Sequence, residues 1–319
     1  MRRVRFHAHG GPEVLRVEET ESPTPAPGEL LVRTEAIGVT LPGVRRVREG
    51  TAPLPGALGG EVAGEVLALG EGVTGFAAGD RIVGISFSCA YAEVTTAASF
   101  TASRIPEGAT AVDAVALVRG GHVALAALAT AEPAPGGSVL ITGAAGGVGH
   151  LAVQLARLQG ASRVVAAVGS RDKTGFLRDL GADEVVMYGD DSWGEPVDTA
   201  LDGVGGEILP RALTAVAPGG RLVFFSSGGG TVPARELLSG SRTITGLTMA
   251  RFAQTRPELY GRHRSELWRL FAEGRLRPAV HTALPLEEAA KAHAVIESRT
   301  NLGKVVLLPR TDPTRPVSR

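Results

Sequence analysis

The first hundred residues carry short apolar segments separated by turns rich in glycine and proline. Alternating polarity within these segments predicts half-buried strands. Short strands at this spacing are typical of a small barrel-like β domain. The predicted strands cover residues 14–17, 29–38, 61–70, 80–85 and 90–94.

The pattern changes near Pro106. Residues 109–130 are rich in alanine and predict two helices broken at Gly120 and Gly121, and from Ser138 onward strands alternate with helices. This alternation predicts an α/β fold with a doubly wound parallel sheet and helices on both faces. Strands are expected at residues 138–143, 163–168, 184–186, 199–201, 221–225 and 243–249, and helices at 147–159, 171–180, 207–215 and 233–238. The closing elements are a helix at 257–274, a strand at 281–284, a helix at 287–298 and a strand at 304–308.

Charge and cysteine content exclude several classes of function. Basic and acidic residues both number 33, so the formal net charge is zero and we expect no nucleic-acid or anionic-membrane partner. The single cysteine can form neither an internal disulfide nor a cysteine-rich zinc site. Because neither a signal peptide nor an apolar run near the ~20 residues of a membrane span is visible, we expect a cytoplasmic location.

A glycine-rich loop is the strongest chemical signal. The apolar strand at residues 139–142 runs into Gly143-x-x-Gly146-x-x-Gly149, and an apolar-periodic helix follows at once. Glycines let the backbone approach a pyrophosphate, and the helix N-terminus supplies free N–H groups and partial positive charge. The motif in this strand–helix context predicts dinucleotide binding. The loop residues assigned to the cofactor are Gly143, Ala145, Gly146, Gly147, Val148 and Gly149.

The end of the next strand favours NADPH over NADH. An NAD site usually places Asp or Glu there to bind the ribose 2′-hydroxyl, whereas this strand ends in Gly169, Ser170, Arg171, Asp172 and Lys173. Ser170 follows Gly149 by 21 positions, which is the expected spacing. The serine and the two cationic side chains suit a 2′-phosphate through charge-assisted hydrogen bonds.

Motifs spread over nearly the whole chain resemble one family. They are residues 10–15 (GGPEVL), 59–66 (GGEVAGEV), 75–82 (GFAAGDRI), 180–183 (LGAD), 201–206 (LDGVGG) and 303–307 (GKVVL), together with the glycine-rich loop. Jointly they resemble the zinc-independent quinone oxidoreductases of the medium-chain dehydrogenase/reductase superfamily. The resemblance implies a GroES-like β-barrel domain, a Rossmann domain, and a segment that returns to the first domain.

The resemblance also implies boundaries and cofactor contacts. The expected parts are residues 1–112 (GroES-like substrate domain), 113–256 (Rossmann domain) and 257–309 (return segment); the Arg- and Pro-containing residues 310–319 are expected to be disordered. By analogy Tyr188 would hold the 2′-phosphate with Ser170 and Lys173. The remaining implied contacts are Gly203, Val204, Ser226 and Ser227 along the ribose–nicotinamide half, and Asn301 and Lys304 from the closing segment.

No metal is expected. Zinc-dependent relatives carry Gly-His-Glu where this chain reads Gly59-Gly60-Glu61, so the ligand histidine is missing. They also carry a cysteine in the segment that here reads residues 38–42 (GVTLP). The seven histidines show no ligand spacing.

The substrate half departs from the family pattern. Quinone oxidoreductases usually read Val-Asn-x-x-Asp where this chain has residues 39–48 (VTLPGVRRVR), and Thr40 stands at the Asn position. Reduction of a quinone or enone develops negative charge on oxygen, so a donor or cation is needed. The candidate catalytic residues are His122, Tyr91, Arg45 (with Arg46) and Thr40, whereas Cys89 is expected to be inert and His150 to lie on a helix face.

The sequence thus predicts an NADPH-dependent, zinc-free reductase of a quinone or an α,β-unsaturated carbonyl compound. The missing Asn/Asp pair motivates an alternative, an NADPH-binding sensor or structural protein with little catalysis. We expect a homodimer formed through an edge strand at residues 243–249, since relatives pair their Rossmann sheets edge to edge and an open apolar edge invites aggregation.

Overall fold

The computed structural model describes residues 1–50 and 52–309. Within them the strands are β1 Arg2–Phe6, β2 Leu15–Glu19, β3 Glu29–Val39, β4 Gly60–Leu69, β5 Arg81–Ser86, β6 Val94–Ala98, β7 Ser103–Arg104, β8 Ser138–Thr142, β9 Arg163–Val168, β10 Glu184–Met187, β11 Val197–Asp202, β12 Val216–Phe224, β13 Thr243–Gly246, β14 Val280–Pro285 and β15 Lys304–Leu308. The α-helices are α1 Leu41–Arg48, α2 Ala111–Ala131, α3 Gly149–Leu158, α4 Thr174–Asp179, α5 Ile208–Thr214, α6 Ala234–Gly240, α7 Met249–Thr255, α8 Pro257–Ala272 and α9 Ala289–Glu297. The tail expected to be disordered, residues 310–319, lies outside the described residues.

The chain forms two units. The first consists of Met1–Val118 and the chain from Val280 onward, and the second of Arg119–Ala279. The boundary falls inside α2, because this helix runs through residue 118 without a break.

The first unit is built on a seven-stranded sheet in the order β14-β15-β3-β4-β5-β7, with β6 paired to β3. Strand β15 pairs parallel to β14 and antiparallel to β3, so the end of the chain completes a sheet that its beginning starts. Alternating apolar positions fill one core that includes Phe6, Leu30, Ile37, Tyr91 and Val305.

The second unit contains a six-stranded parallel sheet in the order β10-β9-β8-β11-β12-β13. This is the doubly wound order in which two βαβ halves extend outward from the first strand. Strand β8 is buried throughout, as expected for a central parallel strand covered on both faces. The predicted α/β alternation with a parallel sheet is therefore confirmed.

The two helices expected around Gly120 and Gly121 are one continuous helix, α2. Glycine at these positions allows close packing rather than breaking the helix. A Cβ at residue 120 would lie 2.5 Å from the carbonyl oxygen of Gly147, and one at residue 121 would lie 2.4 Å from a methyl group of Leu267. By length and composition α2 could span a membrane, contrary to the sequence expectation, but 78% of its most apolar window is buried inside the protein.

Other expectations near element ends were wrong for identifiable reasons. The strand expected at residues 90–94 starts at Val94, because Ala90 donates to Leu58 while the Tyr91 carbonyl accepts from Val4. The last parallel strand ends at Gly246, and Met249 begins a helix. Strand β1 and helix α1 have no counterpart among the predicted elements.

The return to the first unit begins later than residue 257. Helix α8 belongs to the second unit, where it buries His263, Leu267 and Leu270. The segment that follows α8 is tied to α3. The Gln154 side chain bonds both the N–H and the carbonyl of Arg277, at 2.9 and 3.0 Å. The chain therefore changes units at Val280 rather than at residue 257.

Candidate functional site

The glycine-rich loop joins β8 to α3 and is shaped by contacts that exclude side chains. Gly143 has a φ of +60°, a backbone conformation that favours glycine. A Cβ at Gly149 would lie 2.3 Å from the Gly143 carbonyl oxygen and 2.6 Å from the Cα of Ala144. The Gly146 amide donates to the Gly143 carbonyl at 2.9 Å and closes the turn. The spacing of the motif is therefore set by backbone packing.

The loop leaves its backbone available to a ligand. Ala145 is buried, whereas Gly146, Gly147 and Val148 are half-buried. They directly precede α3, whose His150 and Leu151 amides donate to the Gly146 and Val148 carbonyls, so the backbone that the site offers to a ligand is that of the loop itself. A half-exposed backbone at a helix N-terminus is suited to a phosphate. The donor set and the cradle therefore fit the pyrophosphate of a dinucleotide.

Asp202 organises the neighbouring strand end, and the sequence analysis did not single it out. Its carboxylate is fully buried and accepts hydrogen bonds from the Thr142 hydroxyl and from the amides of Val204 and Gly205. The last two bonds measure 3.1 Å. The signal was present, since this aspartate ends β11 and stands second in the family motif LDGVGG, directly before Gly203.

The predicted residues of the β11 and β12 ends meet beside this carboxylate. The Ser226 hydroxyl donates to the Val204 carbonyl at 2.7 Å and accepts from the Gly228 amide at 2.9 Å. A Cβ at Gly203 would lie 2.9 Å from the Phe225 ring. Ser227 is the exposed neighbour of the half-buried Ser226. The structure thus joins these four expected contacts into one surface of the second unit.

Tyr188 reaches the glycine-rich loop. Its hydroxyl accepts a hydrogen bond from the Gly143 amide at 2.8 Å, and its ring lies 3.7 Å from the Cβ that Gly169 lacks. Arg211 donates to the Tyr188 carbonyl and holds the residue from the other side. Tyr188 therefore links the loop to the end of β9, where the 2′-phosphate contacts were expected.

The three polar residues after β9 differ in exposure. Ser170 is exposed and donates to the Asp172 carboxylate. The Arg171 side chain is 82% exposed and lies 3.4 Å from Asp190. Lys173, by contrast, is buried. Arg171 is therefore the solvent-facing cation of this segment, whereas the sequence analysis assigned Arg171 and Lys173 the same role.

Two of the candidate catalytic residues belong to α1, one at its N-cap and one in its last turn. Thr40 is the N-cap of this helix, and its hydroxyl accepts from the Gly43 amide at 3.4 Å. Arg45 is half-buried and forms an ion pair with Glu49 at 3.8 Å, one turn further along. Both side chains therefore have local partners on the helix that the sequence analysis missed.

Tyr91 belongs to the core of the first unit. It is 1% exposed, and its hydroxyl lies 3.2 Å from Nε2 of His293. The His293 ring meets it edge-on at 5.7 Å, and burial lowers the pKa of His293 to about 4. The residue expected to line a cleft is a packed core tyrosine.

Lys304 and Glu61 form a buried ion pair in the first unit, with side chains 7% and 2% exposed. A Cβ at Gly38 would lie 2.7 Å from the Lys304 Cε and 3.0 Å from the Glu61 carboxyl carbon. Glycine at position 38 therefore makes room for the pair. Asn301, the other residue expected from the closing segment, donates to the Gly303 carbonyl at 2.8 Å.

His122 lies inside the second unit, at 3% exposure. Its ring centroid is 4.4 Å from that of Tyr260, and its buried Nε2 has no hydrogen-bond partner among residues 1–50 and 52–309. Burial, with smaller contributions from His263 and Arg264, lowers the pKa of His122 to about 3. The sequence analysis expected a pKa near neutrality, and burial removes the basis for that expectation, since the ring is uncharged at pH 7.

His150 and Cys89, which were expected to have no catalytic role, have well-defined environments. His150 Nδ1 lies 2.8 Å from the Gly146 carbonyl, while Nε2 lies 3.0 Å from the Ala279 amide. Because the amide must donate, Nε2 accepts and Nδ1–H donates to Gly146. His150 thereby fastens the glycine-rich loop to the segment after α8. Burial raises the pKa of the Cys89 thiol, which disfavours the reactive thiolate.

Residues 1–50 and 52–309 contain no group of three or more His, Cys, Asp or Glu side chains that could hold a metal ion. In the described part of the chain, Glu61 of the Gly59-Gly60-Glu61 motif is instead engaged by Lys304.

Comparison with known proteins identifies the family. The alcohol dehydrogenase GroES-like domain model matches residues 26–125, and the zinc-binding dehydrogenase model matches residues 180–307. A quinone oxidoreductase of Pseudomonas aeruginosa is 33% identical over 97% of this chain and 99% of its own length. The chain belongs to the quinone oxidoreductase family of the medium-chain dehydrogenase/reductase superfamily.

Solved structures of quinone oxidoreductases share the fold. The Escherichia coli quinone oxidoreductase complexed with NADPH superposes with a TM-score of 0.90, at 32% identity over 97% of this chain and all of that one. A mycobacterial protein complexed with NADPH gives a TM-score of 0.89 at 34% identity over the same shares. These matches confirm the GroES-like plus Rossmann fold expected from the sequence.

Proposed function

We propose that this member of the quinone oxidoreductase family is an NADPH-dependent reductase that acts on a quinone or an α,β-unsaturated carbonyl compound without zinc. The main structural support for NADPH binding is the glycine-rich loop between β8 and α3, together with the exposed Ser170 and Arg171 at the end of β9. The names of the relatives and the NADPH held by two similar structures support the same cofactor and substrate class.

The cofactor would be held by two parts of the second unit. The half-exposed backbone of residues 146–148 and the α3 N-terminus would bind the pyrophosphate. Ser170 and Arg171 would bind the 2′-phosphate, with Gly169 giving the chain close access to the ribose. The surface formed by Gly203, Val204, Ser226 and Ser227 would face the other half of the molecule. When bound, NADPH supplies the hydride for reduction.

The proposed roles of the first unit's residues follow their contacts. Thr40 positions α1, and Arg45 on that helix offers a half-buried guanidinium to an oxygen of the substrate. Lys304 and Asn301, in the closing segment, are the other residues that the family resemblance assigns to the cofactor. Because Tyr91 is packed in the core and His122 is uncharged at pH 7, we assign neither as the proton donor, and solvent would protonate the reduced substrate.

The zinc-free assignment rests on the residues present. Gly60 stands where zinc-dependent relatives place a histidine, and the adjacent Glu61 carboxylate is engaged by an ammonium group. Activity that survives dialysis against a strong chelator would support this part of the proposal. Loss of activity that is restored by added zinc would overturn it.

A homodimer and a cytoplasmic location complete the proposal. Strand β13 lies at the edge of the six-stranded sheet, and Ile244 and Thr245 within it are half-buried. An edge strand presents unpaired backbone groups that a second copy could extend. Light scattering that gives a monomer at micromolar concentration would count against the dimer. A cytoplasmic location accords with a reductase that draws on intracellular NADPH.

The central experiment measures NADPH and NADH oxidation with a panel of quinones and enones. In Arg171→Ala we expect the KM for NADPH to rise about tenfold while that for NADH changes little, because a charge-assisted bond to the 2′-phosphate is lost. Arg262→Ala, which removes a 68% exposed guanidinium on α8, is the matched control. Tight NADPH binding without turnover on any acceptor would favour the alternative of a sensor or structural protein.

A further inference from the structure

Two phenylalanine side chains stand out on the first unit. Only 4% of the residues are aromatic, yet Phe87 and Phe100 are 67% and 66% exposed. Their rings stack on each other, with centroids 6.3 Å apart and planes inclined by 17°. The two nearly parallel rings form an apolar plate that contacts solvent, which we call the Phe87–Phe100 plate.

Both rings are mounted on tightly bonded segments. Phe87 directly follows β5, and a Cβ at Gly59 would lie 2.8 Å from the Ser86 carbonyl oxygen and 3.1 Å from that of Phe87. Phe100 sits in a 3-10 turn whose Thr101 hydroxyl accepts from the Ile85 amide at 3.0 Å. The backbone that presents both rings is therefore held by contacts with neighbouring segments.

The strand register places Phe87 at the end of the sheet that carries the proposed site residues. Gly60 pairs with Ser86, and Ile37 pairs with Val62. At the same end, Val39 pairs with Val305, the second residue of β15. Thr40, the Lys304–Glu61 ion pair and Phe87 therefore follow or begin neighbouring strands at one end of one sheet.

We propose that the Phe87–Phe100 plate binds the conjugated ring of the substrate by stacking. This inference rests on the proposed function, because it assigns the acceptor a planar, conjugated ring rather than an acyclic enone. Aromatic rings attract one another in offset stacked geometry beyond the gain from buried area alone. Residues 39–48 (VTLPGVRRVR) contain no aromatic side chain, so the plate offers an aromatic surface that this segment does not.

The test compares a polycyclic with an acyclic acceptor, using 9,10-phenanthrenequinone and 3-penten-2-one with the full-length protein. Phe87→Leu and Phe100→Leu keep apolar bulk and remove a ring from an exposed position, so folding is not at stake. We expect each to raise the KM for phenanthrenequinone about fivefold, with kcat and the values for pentenone changed less than about twofold. Phe87→Tyr, which keeps the ring, should behave like the natural protein.

Val17→Ala is the matched control, because Val17 is 38% exposed and lies on β2, in the separate two-stranded sheet of the first unit. The inference is overturned if the leucine variants leave the KM for both acceptors unchanged, or if they raise the KM for phenanthrenequinone and for pentenone equally. It is also overturned if they alter the oligomeric state by light scattering while the KM values stay constant, since the plate would then be an interface between copies.

A binding measurement separates this inference from the proposed function. Equilibrium dialysis of phenanthrenequinone against the NADP⁺-saturated protein measures the affinity of the plate for the quinone without any turnover. Weaker binding in Phe87→Leu supports the plate even if no acceptor is reduced. The absence of reduction would contradict only the proposed reductase function. Binding that is unchanged in Phe87→Leu contradicts the plate whether or not the protein is active.

Discussion

The glycine-rich loop of the second unit and the Thr40–Lys304 end of the first unit's sheet are constructed in different ways. The loop is made of backbone, and its shape follows from contacts that would clash with a Cβ at Gly149. The sheet end is made of side chains from separate strands, among them Glu61, Lys304 and Phe87. A backbone site depends on local spacing, whereas a side-chain site depends on strand register across the whole unit.

The difference predicts different failures. In the first unit a single substitution can leave a buried charge uncompensated, because Lys304 and Glu61 are nearly inaccessible to water. In the loop, a substitution distorts the backbone and disturbs nucleotide binding. Comparing the two kinds of damage tests whether this distinction is real.

The largest effect is expected from Lys304→Met. It leaves the buried Glu61 carboxylate without its ammonium partner, so the free energy of unfolding should fall by about 3–5 kcal/mol. The double variant Lys304→Met/Glu61→Gln should recover most of this loss. Calorimetry is the suitable measurement, because both tryptophans, Trp193 and Trp268, lie in the second unit. An equal loss in the double variant would show that packing, rather than charge, is what matters.

Gly149→Ala should act on the loop. Its methyl group would meet the Gly143 carbonyl oxygen and the Ala144 backbone, which cannot move aside as a flexible side chain could. We expect a loss of about 1–3 kcal/mol in unfolding free energy and weaker NADPH binding by fluorescence titration. Gly175→Ala, where the added methyl has nothing within 4 Å, is the control and should leave binding intact. Equal NADPH affinity in both variants would contradict the view that backbone packing at Gly149 shapes the nucleotide site.

Acidification should weaken the second unit through His122. Its pKa is about 3 in the folded protein and near 6.5 when exposed, so below pH 6.5 the unfolded chain takes up a proton that the folded chain does not. Stability contributed by this group is therefore complete above pH 6.5 and falls by about 1.4 kcal/mol per pH unit as the pH drops toward 3.

His122→Phe keeps a ring against Tyr260 and should reduce the slope of unfolding free energy against pH between 6.5 and 5. The slope should not vanish, because burial also lowers the pKa of His263. Urea unfolding at several pH values, followed by tryptophan fluorescence, measures this slope. Identical slopes in the variant and the natural protein would show that His122 titrates normally.

The smallest effect is expected from Thr40→Ala. Loss of the N-cap bond to Gly43 should cost about 1 kcal/mol in unfolding free energy, and Thr40→Ser should restore it. Steady-state kinetics sharpens the comparison. If Thr40 acts only as a helix cap, kcat with any acceptor should be similar in the alanine and serine variants once both are folded. A fall in kcat specific to the alanine variant would assign the hydroxyl a role at the substrate.

The parts predicted from sequence share a short-range cause. The glycine spacing and the alternation of strands and helices express local backbone requirements, so the β8–loop–α3 unit was predicted nearly to the residue. The family motifs extended this to the first unit's fold. Gly120 and Gly121 show the limit, because the same residue type that breaks a helix also permits the close packing found in α2.

Side-chain environments were beyond prediction. Lys173 and Arg171 are two positions apart, yet one is buried and the other exposed. Tyr91 and His122 were chosen for their chemistry, but core packing places the first against His293 and lowers the pKa of the second. Burial depends on what the rest of the chain places around a residue, and no local pattern carries that information.

The sequence by itself determined the family, the doubly wound sheet and the position of the nucleotide loop, because each depends on periodicity or on glycines at fixed spacing. The tertiary structure alone decided that Glu61 faces Lys304, that His122 is uncharged at pH 7, and that Phe87 and Phe100 stack in solvent. These facts arise from segments far apart in the chain that strand register brings together. Their energies come from desolvation and packing, which exist only once the fold has formed.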